Sequence, residues 1–243
     1  MIRTLYIIIL SYFLAGGAFF YVIGKKLPKE KARHNRIKFY VYFLIINVLF
    51  WSIVVKPFLF TLVAAAIVAL GCYEMVKVYL AGNRKHKKSF ILSFLLYVLL
   101  AFGLMVFSTL PQPWILFTFL LLSVLDSFSQ IFGQLLGKTH ILKKISPGKT
   151  LEGFLGGAAT TLVTSLLLHS LMAFSRPVVL LLAAGIVAWA FLGDLGASAY
   201  KRTYEVKDFS KLLPGHGGVL DRFDSLLAAG AWMAFVYYIL QMI

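Results

Sequence analysis

The sequence predicts an all-α protein, a polytopic transmembrane bundle of about eight helices with a cytoplasm-facing polar site in its C-terminal half. Three observations predict it. Of 243 residues, 60% are hydrophobic and the mean hydropathy is +0.87, more apolar surface than a soluble core of this size can hide. The apolar residues gather into runs long enough to cross a bilayer core, which takes roughly 20 helical residues. The 24 Lys and Arg residues fall mostly in alternate loops, as the positive-inside rule requires.

The runs fall at about 4 to 24, 39 to 55, 57 to 80, 90 to 110, 113 to 136, 152 to 174, 178 to 199 and 225 to 243. The first follows Arg3 and holds the small residues Ala15-Gly16-Gly17-Ala18, as a cleavable leader would. It continues to Gly24, however, and a dense basic segment follows, so it is read as a retained helix. Only Lys56 and Pro57 part the second run from the third, which leaves one hairpin or a short pair with a re-entrant element. Gly133 and Gly137 near the end of the fifth run, and Gly153 and Gly157 in the sixth, have the four-residue spacing that lets helices pack closely. Thr150 and Glu152 open the sixth run, where an acid suits the helix dipole. The single cysteine, Cys72, excludes a disulfide framework and a Cys-based zinc site.

The basic residues sort onto one side of this map. Lys25, Lys26, Lys29, Lys31, Arg33, Arg36 and Lys38 fill the first loop, and Arg84, Lys85, Lys87 and Lys88 the third. Lys138, Lys143, Lys144 and Lys149 fill the fifth, and Lys201, Arg202, Lys207, Lys211 and Arg222 the seventh. Both termini should therefore face outward and the odd loops inward. The net charge of +15 is mainly a topology signal that also leaves a cytoplasmic face attractive to anionic lipid headgroups or nucleotides. Nucleic acid is not the expected partner, since the charges flank helices and no aromatic-studded soluble module accompanies them.

Only nine carboxylates are present, and five of them lie between 194 and 224. Asp126 and Asp194 sit inside apolar runs, where an ionised acid is costly unless it faces a polar cavity or a cation; the alternative is an interhelical ion pair. If the seventh helix continues through Arg202, Asp194, Ser198 and Lys201 share one face at offsets of four and seven. Lys207 and Asp208 follow, then "PGHGGVLDRFDS" at 214 to 225, with Asp221, Arg222 and Asp224. Its glycines, Gly217 and Gly218 among them, suit a backbone nest for an anion. Asp residues beside phosphate oxygens are what a hard dication such as Mg2+ prefers, so the pattern suggests a metal and a polyphosphate. "GQLLGKT" at 133 to 139 is one residue short of a Walker A loop and ends a helix rather than following a strand, so a P-loop is rejected.

The stretch "GDLGASAYKRTYEVKDFSKLLPGHGGVLDRFD", residues 193 to 224, resembles the signature of the phosphatidate cytidylyltransferases, or CDP-diacylglycerol synthases. Ser198, Lys201, Arg202, Lys207, Asp208, His216, Gly217, Gly218, Asp221, Arg222 and Asp224 fill its fixed places. "DSFSQIFGQLLGKTHILKKISPGKTLEG", residues 126 to 153, is similar to an upstream region of that family, with Ser127, Ser129, Gln130 and Gly148 departing from its pattern and Lys149 retained. The resemblance covers roughly the C-terminal half. It divides the chain into N-terminal scaffold helices, 1 to 110, and a C-terminal catalytic part, 111 to 243.

What the resemblance implies is transfer of the cytidylyl group of CTP to phosphatidate, giving CDP-diacylglycerol and pyrophosphate. It implies Mg2+ held by Asp194 and Asp221, with Asp126 and Asp224 as supporting groups. Lys149, Lys201, Arg202, Lys207 and Arg222 would cradle phosphates, although each also serves as a positive-inside charge. His216 would hydrogen-bond to phosphate or to its own turn rather than relay a proton, because metal-bound pyrophosphate leaves readily. The partners are then CTP, phosphatidate and the surrounding membrane lipids; homodimers are common among such enzymes, and the sequence marks no face for one. Two other readings stand beside this one: a CTP-dependent kinase or cytidylyltransferase of another lipid such as a polyprenol, and a non-catalytic lipid or ion transporter.

Overall fold

The computed structural model describes residues 3, 5–7, 9–11, 13, 14, 29–215 and 217–242. Among these are seven α-helices: α1 (Lys29–Val55), α2 (Pro57–Ala81), α3 (Lys87–Phe107), α4 (Gln112–Leu136), α5 (Leu151–Leu167), α6 (Arg176–Thr203) and α7 (Leu220–Met242). The described residues of the first apolar run are helical too, and Tyr6 donates to Asn47 of α1 at 2.9 Å. The one sheet among the described residues is an antiparallel hairpin, β1 (His140–Leu142) with β2 (Ser146–Thr150). The expected all-α bundle is what forms. Five helices are long and apolar enough to cross a membrane: α2 from Phe58, α3, α4, α6 and α7; α5 and the Phe39–Val55 part of α1 are apolar but shorter.

Local chemistry explains the boundaries. Pro57 has no N–H to donate and forces Lys56 into extended backbone (φ −151°, ψ 129°), so α1 stops and α2 starts with Pro57 in its first turn. The two helices are in contact with each other on either side of this turn. The freed carbonyls at the end of α1 find a distant donor, because Gln112 Nε2 reaches Ile53 O at 2.9 Å and Val54 O at 3.2 Å. The basic segment expected as a loop is helical from Lys29 onward, since Lys, Glu, Ala and Arg favour helix and no breaker lies between them and the apolar run.

The exterior is apolar as well as the core, as lipid contact demands. On α3, Leu92, Leu95, Leu99 and Phe102 are 62% to 72% exposed while Tyr97, Ala101, Leu104 and Phe107 are buried on the opposite face. The hub is α7, which touches α2, α3, α4 and α6. Small residues set the close crossings. Of the predicted glycine pairs, Gly133 and Gly153 meet between α4 and α5: a Cβ on Gly153 would lie 3.0 Å from Gly133 Cα and 2.7 Å from Ser129 O, while one on Gly157 would strike the Ser129 hydroxyl and Gly137, just past α4, abuts Thr150. Gly193 does the same between α6 and α7, where a Cβ would sit 2.5 Å from Asp224 O and 2.7 Å from Ala228 Cβ. That contact brings the acids of two helices to one level.

Candidate active site

Helical periodicity builds the first wall of the site. α6 does run through Arg202, so Asp194, Ser198 and Lys201 stack on one face. Ser198 Oγ donates to Asp194 Oδ1 at 3.2 Å, and Lys201 Nζ lies 2.6 Å from Asp221 Oδ1 in α7. Asp194 is also paired with Lys149, which β2 presents from the hairpin and whose ammonium stands 4.9 Å from the centroid of the Phe191 ring. Thus three segments far apart in sequence, around 149, 194 to 201 and 221, converge on one end of α6 and α7.

The loop between these helices, 204 to 219, closes over that end. Both oxygens of Asp221 are engaged: Oδ1 by Lys201, Oδ2 by the backbone N–H groups of Phe209 at 2.8 Å and Gly218 at 2.7 Å. The Asp221 side chain is 1% exposed and that of Lys201 10%, so this pair is a buried strut. Gly215 and Gly217 take positive φ of 75° and 86°, the backbone conformation foreseen for the turn, and Leu213 N donates to Gly217 O at 2.8 Å to close it. Val219 and Leu220, at the start of α7, donate their N–H groups to Glu74 of α2 at 2.9 and 2.8 Å, and Ser210 Oγ donates to the same carboxylate at 2.6 Å.

A second set of polar groups lies beside the first. Asp126 of α4 and Asp224 of α7 are within electrostatic reach of each other and of Asp194. Asp224 is buried and accepts from Ser225 N at 2.7 Å, and Ser225 Oγ donates to Ala190 O at 3.2 Å. Asp126 and Arg222 are exposed and line a cleft of about 60 Å³ between α1, α4 and α7. Ser123 and Ser225 also face this cleft, and Ile45, Leu49, Leu122 and Leu226 form apolar walls to it. The lining thus combines one acid, one guanidinium and two hydroxyls with aliphatic walls.

Not every residue singled out in the sequence joins the cluster. Lys207 and Asp208 are exposed on the loop surface. Arg202 faces backbone instead: Nε donates to Ile145 O at 3.0 Å and Nη1 to Val206 O at 3.1 Å, binding the β hairpin to the 204–219 loop. His216 lies outside the described residues. Glu152 accepts from Lys138 N and Thr139 N, each at 3.1 Å, which fastens the end of α4 to the head of α5. Glu74 carried no assignment from the sequence, although it is an acid inside an apolar run just as Asp126 and Asp194 are.

The donor set bears on a metal. Among the described residues no group of three or more His, Cys, Asp or Glu is drawn together tightly enough to hold an ion by itself. Mg2+ is commonly held by one or two carboxylates, with substrate phosphate and water completing its shell. Asp194, half-buried and with two more acids in electrostatic reach, fits such an arrangement. Asp221, 1% exposed and with both oxygens engaged by Lys201 and by backbone N–H groups, could serve as the second carboxylate only if Lys201 released Oδ1.

Comparison with known proteins gives a consistent picture. Residues 82–241 match the model of the cytidylyltransferase family. A curated phosphatidate cytidylyltransferase of Staphylococcus saprophyticus subsp. saprophyticus is 34% identical over 236 residues, 91% of this chain and 90% of its own length. Proteins of the same name from Staphylococcus haemolyticus and Staphylococcus aureus are 43% and 41% identical over 116 residues, 47% of this chain and 45% of theirs.

Proposed function

The chain belongs to the cytidylyltransferase family, and from that premise we propose that it is a membrane phosphatidate cytidylyltransferase, making CDP-diacylglycerol and pyrophosphate from CTP and phosphatidate. A phosphate oxygen of phosphatidate attacks the α-phosphorus of CTP. The bond from that phosphorus to the bridging oxygen of the β-phosphate breaks, and pyrophosphate leaves with the electron pair. The lipid phosphate is itself the nucleophile, so no side chain need attack. What the protein must supply is alignment and neutralisation of charge.

The observation that carries this reading is the convergence of Lys149, Asp194, Lys201 and Asp221 from three segments onto one end of the bundle, near a cleft lined by Arg222, Asp126 and aliphatic side chains. Lys149 and Lys201 are the nearest cations to the triphosphate, each now paired with an acid that a metal would relieve. Arg222, at the cleft, takes the phosphate of phosphatidate, with Asp126 beside it and the lipid chains along Ile45, Leu49 and Leu122. Lys207 meets the outer phosphates from the loop, while Arg202 acts by holding loop and hairpin together. Gly217 and Gly218 let the backbone turn close to the nucleotide, and His216 completes that turn. Ser198 orients Asp194.

We assign Mg2+ to Asp194 and Asp221, with Asp126 and Asp224 supporting. Bound there, it would neutralise the triphosphate and make pyrophosphate a better leaving group. The site faces the cytoplasm of the cell membrane, because the loops that build it carry the Lys and Arg excess. The test is turnover by the purified protein in detergent with a panel of lipid acceptors, with Mg2+ and with a chelator. Pyrophosphate release that needs both phosphatidate and the dication is expected. Release of CDP with phosphorylation of a lipid alcohol would overturn the assignment, as would turnover indifferent to the chelator.

A further inference from the structure

Glu74 has no exposed surface, yet no Lys or Arg pairs with it among the described residues. A carboxylate so placed is tolerated only where fixed donors surround it. The donors here are all from one stretch, more than 130 residues away: the Ser210 hydroxyl at 2.6 Å and the N–H groups of Val219 at 2.9 Å and Leu220 at 2.8 Å. Val219 immediately precedes α7 and Leu220 opens it, where backbone N–H groups have no intrahelical partner, so Glu74 caps that helix from another helix. Even the absence of a side chain at 218 fits, since a Cβ there would stand 2.5 and 2.6 Å from the two Glu74 oxygens. Asp221 secures the same segment through Phe209 N and Gly218 N. Between them, two carboxylates clamp both ends of residues 209 to 220.

We infer that Glu74 is a positioning residue for the nucleotide: it fixes the glycine-rich turn over the site in the geometry that CTP requires. It has a second consequence. By filling the N-terminus of α7 with a resident anion, it withholds that helix end from phosphate and directs the triphosphate to Lys149 and Lys201. The inference rests on the cytidylyltransferase reading, and its test separates the two.

Glu74→Gln keeps the size of the side chain but replaces one acceptor oxygen by an NH2 group that opposes a backbone N–H. Ser210→Ala removes one donor and leaves the core intact. With purified proteins, Glu74→Gln should lower kcat/KM for CTP roughly 10- to 100-fold, the range set by charge-assisted hydrogen bonds, and leave KM for phosphatidate within about twofold. Ser210→Ala should act in the same direction by several-fold, and the double variant should lose less than the product, because both act on one clamp. Amide exchange at Val219 and Leu220 should quicken in Glu74→Gln. A role confined to folding would lower the yield or Tm and leave KM for CTP unchanged in the folded fraction. Unchanged KM and exchange in folded Glu74→Gln, or effects that simply multiply, would overturn the inference. If Glu74→Gln does not fold, an unchanged KM for CTP in Ser210→Ala overturns it. A wild-type protein that turns over no CTP would sink the reaction assignment instead, and amide exchange would still decide the clamp.

Discussion

Asp194 and Asp221 should differ in what their loss does, although both are assigned to the metal. Asp194 is half-buried, and its partner Lys149 on the hairpin is more exposed than Lys201. Asp194→Asn should therefore cut turnover by at least about 100-fold while the melting temperature in detergent changes little. Asp221→Asn should also stop turnover, but it leaves Lys201 buried without its counter-charge and sets an NH2 group against either that ammonium or the N–H groups of Phe209 and Gly218. Breaking such a pair costs about 3–5 kcal/mol, so its thermal unfolding should come well below that of the wild type. Equal stability of the two variants, measured side by side by thermal unfolding, would show that the strut carries no load. The asymmetry is invisible in the sequence. The spacing of 194, 198 and 201 declares a shared helical face, whereas the partners of Asp221 at Phe209 and Gly218 are backbone groups with no residue signature. Glu74 escaped for the same reason, and only its place inside an apolar run offered a cue.

At the scale of elements, the site depends on close helix crossings as well as on the Glu74 cap of α7. Gly193 sets the approach of α6 to α7, one residue from Asp194 and against the carbonyl of Asp224. Gly193→Leu should force these helices apart, costing about 1–3 kcal/mol as overpacking does, and should lower kcat more than that loss of stability alone explains. A parallel change at Gly185, where the neighbour is the Trp232 ring, disturbs the same interface away from the acids and should lower stability with less effect on kcat per folded molecule. Thermal unfolding and steady-state kinetics on the two variants test this. The glycine spacings on α4 and α5 were legible as packing signals because a four-residue repeat has one structural meaning on a helix. The hairpin that presents Lys149 was not legible. Ser-Pro-Gly-Lys-Thr shows no alternation of apolar and polar residues, and its pairing with His140–Leu142 is settled by backbone bonds alone.

For the whole molecule, charge and hydropathy were enough to read a helical membrane architecture, because a bilayer permits few solutions, and Lys and Arg mark the face expected to be cytoplasmic. They could not show which acids meet, since that follows from how the helices cross. The orientation is testable by itself. In a Cys72→Ser background, single cysteines at Lys85 and Lys143 should react with a membrane-impermeant thiol reagent only from the cytoplasmic side, and one at Lys56 only from the other. The reverse pattern would put the nucleotide site on the wrong face of the membrane. The central claim, that the α-phosphorus of CTP moves to a lipid phosphate, is tested most directly with CTP labelled in parallel at the α- and γ-phosphates. Incubated with the purified protein, phosphatidate and Mg2+, the α-label should appear in the lipid and the γ-label in pyrophosphate, in equal amounts. The γ-label in the lipid, or the α-label left in CDP or CMP, would contradict it.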